Sequence, residues 1–302
     1  MEVGVVGLGK MGAGIARRAM RAGHRVVAFD RTATKVDELV RDGAMPAYAL
    51  PALAQSLAPP RVIWCMVPAG EPVDEVITAL KPVLSAEDIL VDGGNSFYQD
   101  SMRRAADLDT TGVFLLDVGV SGGVWGMTEG YCLMAGGAKD AYERIEPLLR
   151  SLAAGPDRGY AHVGPSGAGH FVKMVHNAIE YGMMEAYAEG FELMSEKTEF
   201  DLDLARIAEL WQHGGVVRSW LLGLAHEALV QDPDLSQLQS YVDDSGEGRW
   251  SLKESVDLGV PMPVVALALQ ARFRSRQEQP FAGRMLAAMR QQFGGHAVRR
   301  NE

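Results

Sequence analysis

EVGVVGLGKMGAGIARRAMRAGHRVVAFD, residues 2–30, decides the fold of this chain. A short apolar run (2–7) enters a glycine-rich turn. A segment with helical spacing follows (13–23), and a second apolar run (25–30) ends in an aspartate. That order is strand, turn, helix, strand, the unit from which parallel sheets are built.

The pattern continues outward. Further apolar runs are RVIWCMV (61–67), DILVDGG (88–94), VFLLDVGV (113–120), YCLMAGG (131–137) and YAHVG (160–164), with helical spacing between most of them, as in 33–43. Such alternation predicts a mostly parallel sheet with helices on both faces. From Pro165 onward the periodicity is helical, over 169–196, 203–212, 216–231, 251–257, 262–275 and 281–292, with a polar, glycine-containing loop within 232–249. The expected architecture is α/β: a Rossmann-type doubly wound N-terminal domain over 1–164 plus an all-α C-terminal domain over 165–302.

Composition agrees with two domains. The 302 residues are 47% hydrophobic, enough for two cores, and carry a net charge of −10. That balance argues against nucleic acid and anionic membrane surfaces as partners, so an anionic ligand needs a local basic pocket. Cys65 and Cys132 sit in apolar runs and read as buried reduced thiols. The first residues enter a strand without a basic leader, and no stretch is apolar enough to span a bilayer. The expected location is the cytoplasm.

Gly7-Leu8-Gly9-Lys10-Met11-Gly12 is a GxGxxG between a strand and a helix, the context the dinucleotide fingerprint requires. Gly7 allows the tight turn, Gly9 the approach of a pyrophosphate to the helix N-terminus, and Gly12 close helix–strand packing. Asp30 ends the second strand, where a carboxylate accepts from both ribose hydroxyls of NAD and repels the 2′-phosphate of NADP. Arg31 and Thr32 follow and can still hold that phosphate. NAD preference is expected, with NADP possible at lower efficiency; Val67 and Pro68 join the expected cofactor contacts.

Asp92-Gly93-Gly94-Asn95-Ser96 closes another strand, so Asn95 stands where ligands of open parallel sheets bind, within reach of nicotinamide and substrate. Gly-Gly-Asn is equally good chemistry for a plain turn. Ser121-Gly122-Gly123 offers backbone amides and a hydroxyl as a cradle for a carboxylate, or again a turn.

Within GAGHFVKMVHNAIEYGMMEAYAEGF, the residues Lys173, His176, Asn177, Glu180 and Tyr181 lie at offsets 0, 3, 4, 7 and 8. At about 100° per residue they fall in an arc of about 140°. A stripe facing a core is apolar; this one is a base, an imidazole, an amide, a carboxyl and a phenol. Taken singly, each has an ordinary explanation, such as a snorkelling lysine or a solvated glutamate. Five on one arc, after Gly167 and Gly169, read as an active-site floor. Lys173 suits a general base if burial or a neighbouring cation lowers its pKa, and Glu180 suits a second proton transfer two turns on.

At these residues the chain is similar to the 6-phosphogluconate dehydrogenase family, within the β-hydroxyacid dehydrogenase superfamily. The shared marks are GLGKMG, DGGNS, VSGG, GAGHFVKMVHNAIEY and FGGH, and they cover essentially the whole chain. The length resembles the short, NAD-preferring type. The resemblance implies oxidative decarboxylation of 6-phosphogluconate to ribulose 5-phosphate and CO2. In it, Lys173 would take the C3 hydroxyl proton, and Glu180 would protonate C1 of the enediol. No metal would be needed. Ser121, Gly122, Gly123 and His176 would hold the carboxylate end, Asn95 and Asn177 the hydroxyls, and Tyr181 would reach toward the phosphate. Arg272, Arg290 and His296 match family phosphate ligands, the last two from a tail that completes the partner subunit's site, which implies a homodimer or homotetramer. Ser245 and Glu247 depart from the family pattern: they replace a lysine and a threonine that help bind phosphate. Either Arg272, Arg290 and Arg249 compensate, or the substrate is a non-phosphorylated sugar acid. A non-catalytic NAD-binding protein is the third reading, disfavoured by the presence of Lys173.

Overall fold

The computed structural model describes residues 1–300, and contacts between α-carbons divide the chain into two units, Met1–His176 and Asn177–Glu302. The first unit carries one eight-stranded sheet. Its strands are β1 (Glu2–Val6), β2 (Arg25–Phe29), β3 (Met45–Pro46), β4 (Val62–Cys65), β5 (Ile89–Asp92), β6 (Phe114–Ser121), β7 (Cys132–Gly136) and β8 (Tyr160–Gly164). They lie in the order β3-β2-β1-β4-β5-β6-β7-β8, and every pair is parallel except β6 with β7. The reversal has a local cause: only a short 3-10 turn and one helical turn separate these strands, too little for a parallel crossover. Two-residue β3 has no apolar run to announce it.

The helices between strands are α1 (Lys10–Arg21), α2 (Ala33–Arg41), α3 (Leu50–Gln55), α4 (Glu71–Leu80), α5 (Tyr98–Asp109), α6 (Gly126–Glu129) and α7 (Lys139–Leu152). Strand alternation divides the core into two layers. Val3, Val5, Trp64, Val91, Leu116 and Val118 pack with α1, α2 and α7. Val6, Ile63, Cys65, Leu90 and Leu115 pack with α3, α4 and α5. Both faces are thus covered, as a mainly parallel sheet requires.

The 29-residue helix α8 (Ala168–Glu196) continues unbroken from the first unit into the second. Beyond it come α9 (Leu204–Gln212), α10 (Trp220–Gln231), α11 (Glu247–Asp257), α12 (Pro263–Ser275) and α13 (Phe281–Gly294), and no further strand among the described residues. Helix α10 starts at Trp220 rather than 216 because Ser219 caps it, accepting the Leu222 N–H at 3.0 Å. Helix α11 starts at Glu247, four residues before the sequence suggests, after Gly246 turns the chain at φ 99°. None of the described helices is long and apolar enough to cross a membrane.

Candidate active site

At the carboxyl ends of β1, β2, β4 and β5 lies a cleft of about 790 Å³. That is ample for a dinucleotide-sized ligand. Gly7, Gly9, Lys10, Met11 and Gly12 line it from the fingerprint turn, Asp30 and Arg31 from the end of β2, and Val67, Pro68 and Asn95 from the opposite side. The glycines fit a bound pyrophosphate. A β-carbon on Gly12 would strike the Gly7 carbonyl at 1.9 Å, whereas one on Gly9 would meet nothing within 4 Å. The close helix–strand contact is therefore used, and the space over Gly9 is open. Gly9 also brings no side-chain cap to α1, so the helix presents its first N–H groups to a ligand.

Asp30 is fixed from two sides. Its Oδ2 accepts the Leu8 N–H at 2.7 Å and its Oδ1 the Thr32 N–H at 2.8 Å, and the Lys35 ammonium stands 3.6 Å away. Burial pushes its carboxyl up, but these N–H groups and Lys35 outweigh it and hold the group below the usual aspartate value. Leu8 and Thr32 take part through their N–H groups: the Leu8 side chain belongs to the core, and neither residue lines the cleft. Sequence reasoning missed Lys35, although it stands on the first turns of the helix that follows Asp30.

The DGGNS turn is locked from behind. Asp92 accepts from the Gly94 N–H at 3.0 Å and the Ser96 hydroxyl at 2.7 Å, and pairs with buried Arg104 at 3.5 Å. Arg104 is tied in turn to Asp74 and to the Gly70 carbonyl. Asn95 adopts a left-handed φ of 54° and points its amide at β6: its Nδ2 donates to the Val120 carbonyl at 3.1 Å and its Oδ1 accepts the Val120 N–H at 2.9 Å. The side chain expected to touch ligands thus braces the strand that presents Ser121, while the residue still borders the cleft.

Why Lys173 sits where it does follows from β6. Leu116, Val118 and Val120 face one layer of the core, so Asp117 and Gly119 face the other way. Asp117 receives the start of α8, accepting the N–H groups of Gly167 at 2.7 Å and His170 at 2.9 Å. Burial pushes the Asp117 carboxyl up, with His170 and these donors opposing. Gly119 and Gly169 let helix and strand touch. A β-carbon on Gly119 would lie 2.4 Å from that of Lys173, and one on Gly169 2.1 Å from the Asp117 carbonyl. Lys173 is therefore held at 5% exposure against β6. Its charge reaches Cys132, an exposed residue where the sequence suggests a buried one; partial burial pushes the thiol up and Lys173 pulls it down, and Cys132 is the register partner of Ser121. Asn95, Ser121 and Lys173 accordingly converge at the end of β6. Gly122 and Gly123 follow in positive-φ conformations, with open space over Gly123. His176 is half-buried one turn beyond Lys173.

The remaining stripe residues belong to the helical unit. By helix geometry Glu180 stands about 20° round and about 10 Å along the axis from Lys173; it is half-buried. Asn177 Nδ2 donates to Glu247 Oε1 at 3.0 Å. Tyr181 is buried, and its hydroxyl accepts the Ser245 N–H at 3.0 Å and meets the Ser245 hydroxyl at 3.2 Å. The Arg272 guanidinium lies 3.8 Å over the Tyr181 ring and donates to the Asp243 carbonyl at 2.8 Å. Arg249 is bidentate to Asp244, which also pairs with Arg276. Arg290 and His296 are exposed in this chain, and α13 buries none of its residues.

Comparison with known proteins matches both parts of the chain to one family. Residues 2–164 match the model for the NAD binding domain of 6-phosphogluconate dehydrogenase, and 169–297 the model for the C-terminal domain of 6-phosphogluconate dehydrogenase. The NAD(+)-dependent, decarboxylating 6-phosphogluconate dehydrogenase of Haloferax volcanii is 43% identical over 303 residues, covering 100% of both chains. The Bacillus subtilis protein of the same description is 38% identical over 301 residues, covering 95% of this chain and 64% of its own. The Plasmodium falciparum 6-phosphogluconate dehydrogenase structure superposes with a TM-score of 0.85 at 26% identity, over 100% of this chain and 67% of that one. A Mycobacterium tuberculosis 3-hydroxyisobutyrate dehydrogenase shares the fold at 22% identity and a TM-score of 0.72, over 88% of this chain and 90% of that one. With family models matched across both halves and a relative aligned from end to end, the chain belongs to the 6-phosphogluconate dehydrogenase family.

Proposed function

We propose that this chain oxidises and decarboxylates 6-phospho-D-gluconate to D-ribulose 5-phosphate and CO2, with NAD as the preferred electron acceptor, in the cytoplasm as a step of the pentose phosphate pathway. The observation that supports the reading best is Lys173, buried against Gly119 of β6, the strand that Asn95 of the dinucleotide-sized cleft braces through Val120. The names of the Haloferax volcanii and Bacillus subtilis relatives support both the decarboxylation and NAD.

When bound, the cofactor supplies the hydride acceptor for C3. Lys173 takes the C3 hydroxyl proton as that hydride leaves. As an ammonium it then donates to the new C3 carbonyl, which drains the electron pair released when the C1–C2 bond breaks and CO2 departs. Glu180 delivers a proton to the carbon that has lost its carboxyl group, C1 of the product. Ser121, Gly122, Gly123 and His176 orient the carboxylate, and Asn177 the hydroxyls. Asn95 acts through Val120 in setting the position of Ser121. Ionised Asp30 favours a ribose diol over a 2′-phosphate, while Arg31 and Lys35 leave NADP usable at lower efficiency. Arg290 and His296, exposed in the single chain, complete the site of a neighbour in a homodimer or homotetramer.

A second reading, a non-phosphorylated sugar acid as substrate, is favoured by one observation: Arg249 and Arg276 are committed to Asp244, and Glu247 is buried close by in sequence. Initial rates of NAD and NADP reduction with 6-phosphogluconate and gluconate separate the two. Higher kcat/KM for 6-phosphogluconate with NAD is expected; higher kcat/KM for gluconate would favour the second reading, and for NADP would overturn the cofactor preference.

A further inference from the structure

We propose that Glu247 is a substrate-recognition residue whose carboxylate accepts a hydrogen bond from one hydroxyl of the sugar-acid chain; this rests on the sugar-acid reading above. Glu247 is only 7% exposed. One carboxylate oxygen, Oε1, accepts from Asn177. The other, Oε2, is buried and has no hydrogen-bond partner within the protein. A buried carboxylate oxygen without a donor is an expensive arrangement, and native proteins keep few of them.

The side chain is held in place rather than trapped by accident. Gly248, the next residue, presses on the Tyr181 ring so closely that a β-carbon there would lie 2.8 Å from it. Ser245, two residues before, is bonded to the Tyr181 hydroxyl through both its N–H and its side chain. Glu247 is also the first residue of α11, where the helix dipole favours a negative charge.

The nearby arginines are engaged elsewhere. Arg249 and Arg276 grip Asp244, and Arg272 lies on Tyr181 and the Asp243 carbonyl. What would satisfy Oε2 is therefore a donor brought from outside. Asn177, on which the carboxylate rests, shares the face of α8 with Lys173 and Glu180. A polyol chain along that face brings hydroxyl donors. A carboxylate or a phosphate dianion brings none and is repelled, so Glu247 also selects against substrates that place an anionic group there.

The test is a double-mutant cycle on the full-length protein, with Glu247→Gln and Glu247→Asp assayed on 6-phosphogluconate and its 2-deoxy, 4-deoxy and 5-deoxy analogues at saturating NAD. Glu247→Gln is expected to raise KM for the parent acid on the order of ten- to hundredfold. The change in kcat should stay within a few fold, with NADH affinity and Tm close to wild type. Glu247→Asp keeps the charge but withdraws it, and should fall between. One deoxy analogue should suffer a similar loss with wild type and no further loss with Glu247→Gln, because the interaction is already gone. An equal penalty on every analogue, as a water-filled or purely structural carboxylate would give, overturns the proposal, and so does an unchanged KM. A wild-type protein that turns over none of these acids refutes the sugar-acid reading itself.

Discussion

The two units dispose of their apolar residues in opposite ways. In Met1–His176 the strands bury Val5, Val27, Ile63, Trp64, Val91 and Leu116 completely between two helical layers. In Asn177–Glu302 the cluster of Tyr181, Ala268 and Leu269 is small, and α13 carries Phe281, Met285, Leu286, Met289 and Phe293 to the surface. Those five fall within an arc of about 140° of their helix, an amphipathic face with none of its residues buried. In the sheet unit Asp30, Asp92, Asn95 and Asp117 are each held by hydrogen bonds from the protein itself. The helical unit leaves an apolar helix face uncovered, which the oligomer proposed above would bury. Cofactor binding should therefore survive damage that abolishes turnover, and the reverse should be rare.

The largest expected effect tests that difference directly. A chain ending at Pro280 should run as a monomer by light scattering and lose essentially all activity, while binding NADH within about twofold of the full chain. Wild-type turnover in that monomer would break the contrast. Next, Lys173→Met should lower kcat by about a thousandfold or more without changing NADH affinity, as loss of a general base does. Retained turnover would remove Lys173 from the chemistry. Glu180→Gln should cost about a hundredfold, with hydride transfer in a single turnover slowed less than product formation; equal slowing of both would deny it the later proton transfer.

Smaller effects lie at the edges of each unit. Asp30→Ala should raise KM for NAD about tenfold, the loss of a charge-assisted hydrogen-bond pair. It should also narrow the gap to NADP; an unchanged NAD/NADP ratio would place the preference elsewhere. In the helical unit, the Arg249 bond, with that of Arg276, holds Asp244 down at about 2. A depressed carboxyl stabilises the fold above its unfolded value near pH 4 and loses that contribution as pH falls through about 2. The Tm difference between wild type and Asp244→Asn should therefore be full at pH 6 and shrink toward pH 2. A difference that does not change over that range would mean the ion pair adds nothing.

Much of this was legible in the residues. The fingerprint turn, Asp30 at the end of β2 and the polar stripe on α8 each break a local rule of spacing or composition, and such breaks can be seen without coordinates. What escaped depends on contacts distant in sequence. The reversal of β7 turns on how far 122–131 can travel. The use of Asn95 as a brace needs Val120 beside it, and the Arg104–Asp92 pair lies behind the DGGNS turn, where nothing in the motif points. Asp117 was nearly readable, as a lone carboxylate in an apolar strand run, but its purpose appears only when α8 arrives on it. Glu247 reads in the sequence as a lost phosphate ligand; its bond to Asn177 requires α11 to begin where it does.

The most direct measurement follows carbon and electrons together. With 6-phosphogluconate labelled at C1 and NAD in excess, one labelled CO2 should appear for each NADH formed, alongside an equal amount of ribulose 5-phosphate. NADH accompanied by a keto acid that keeps the label, or no NADH at all, would contradict the assignment of Lys173 and Glu180 to one decarboxylating site.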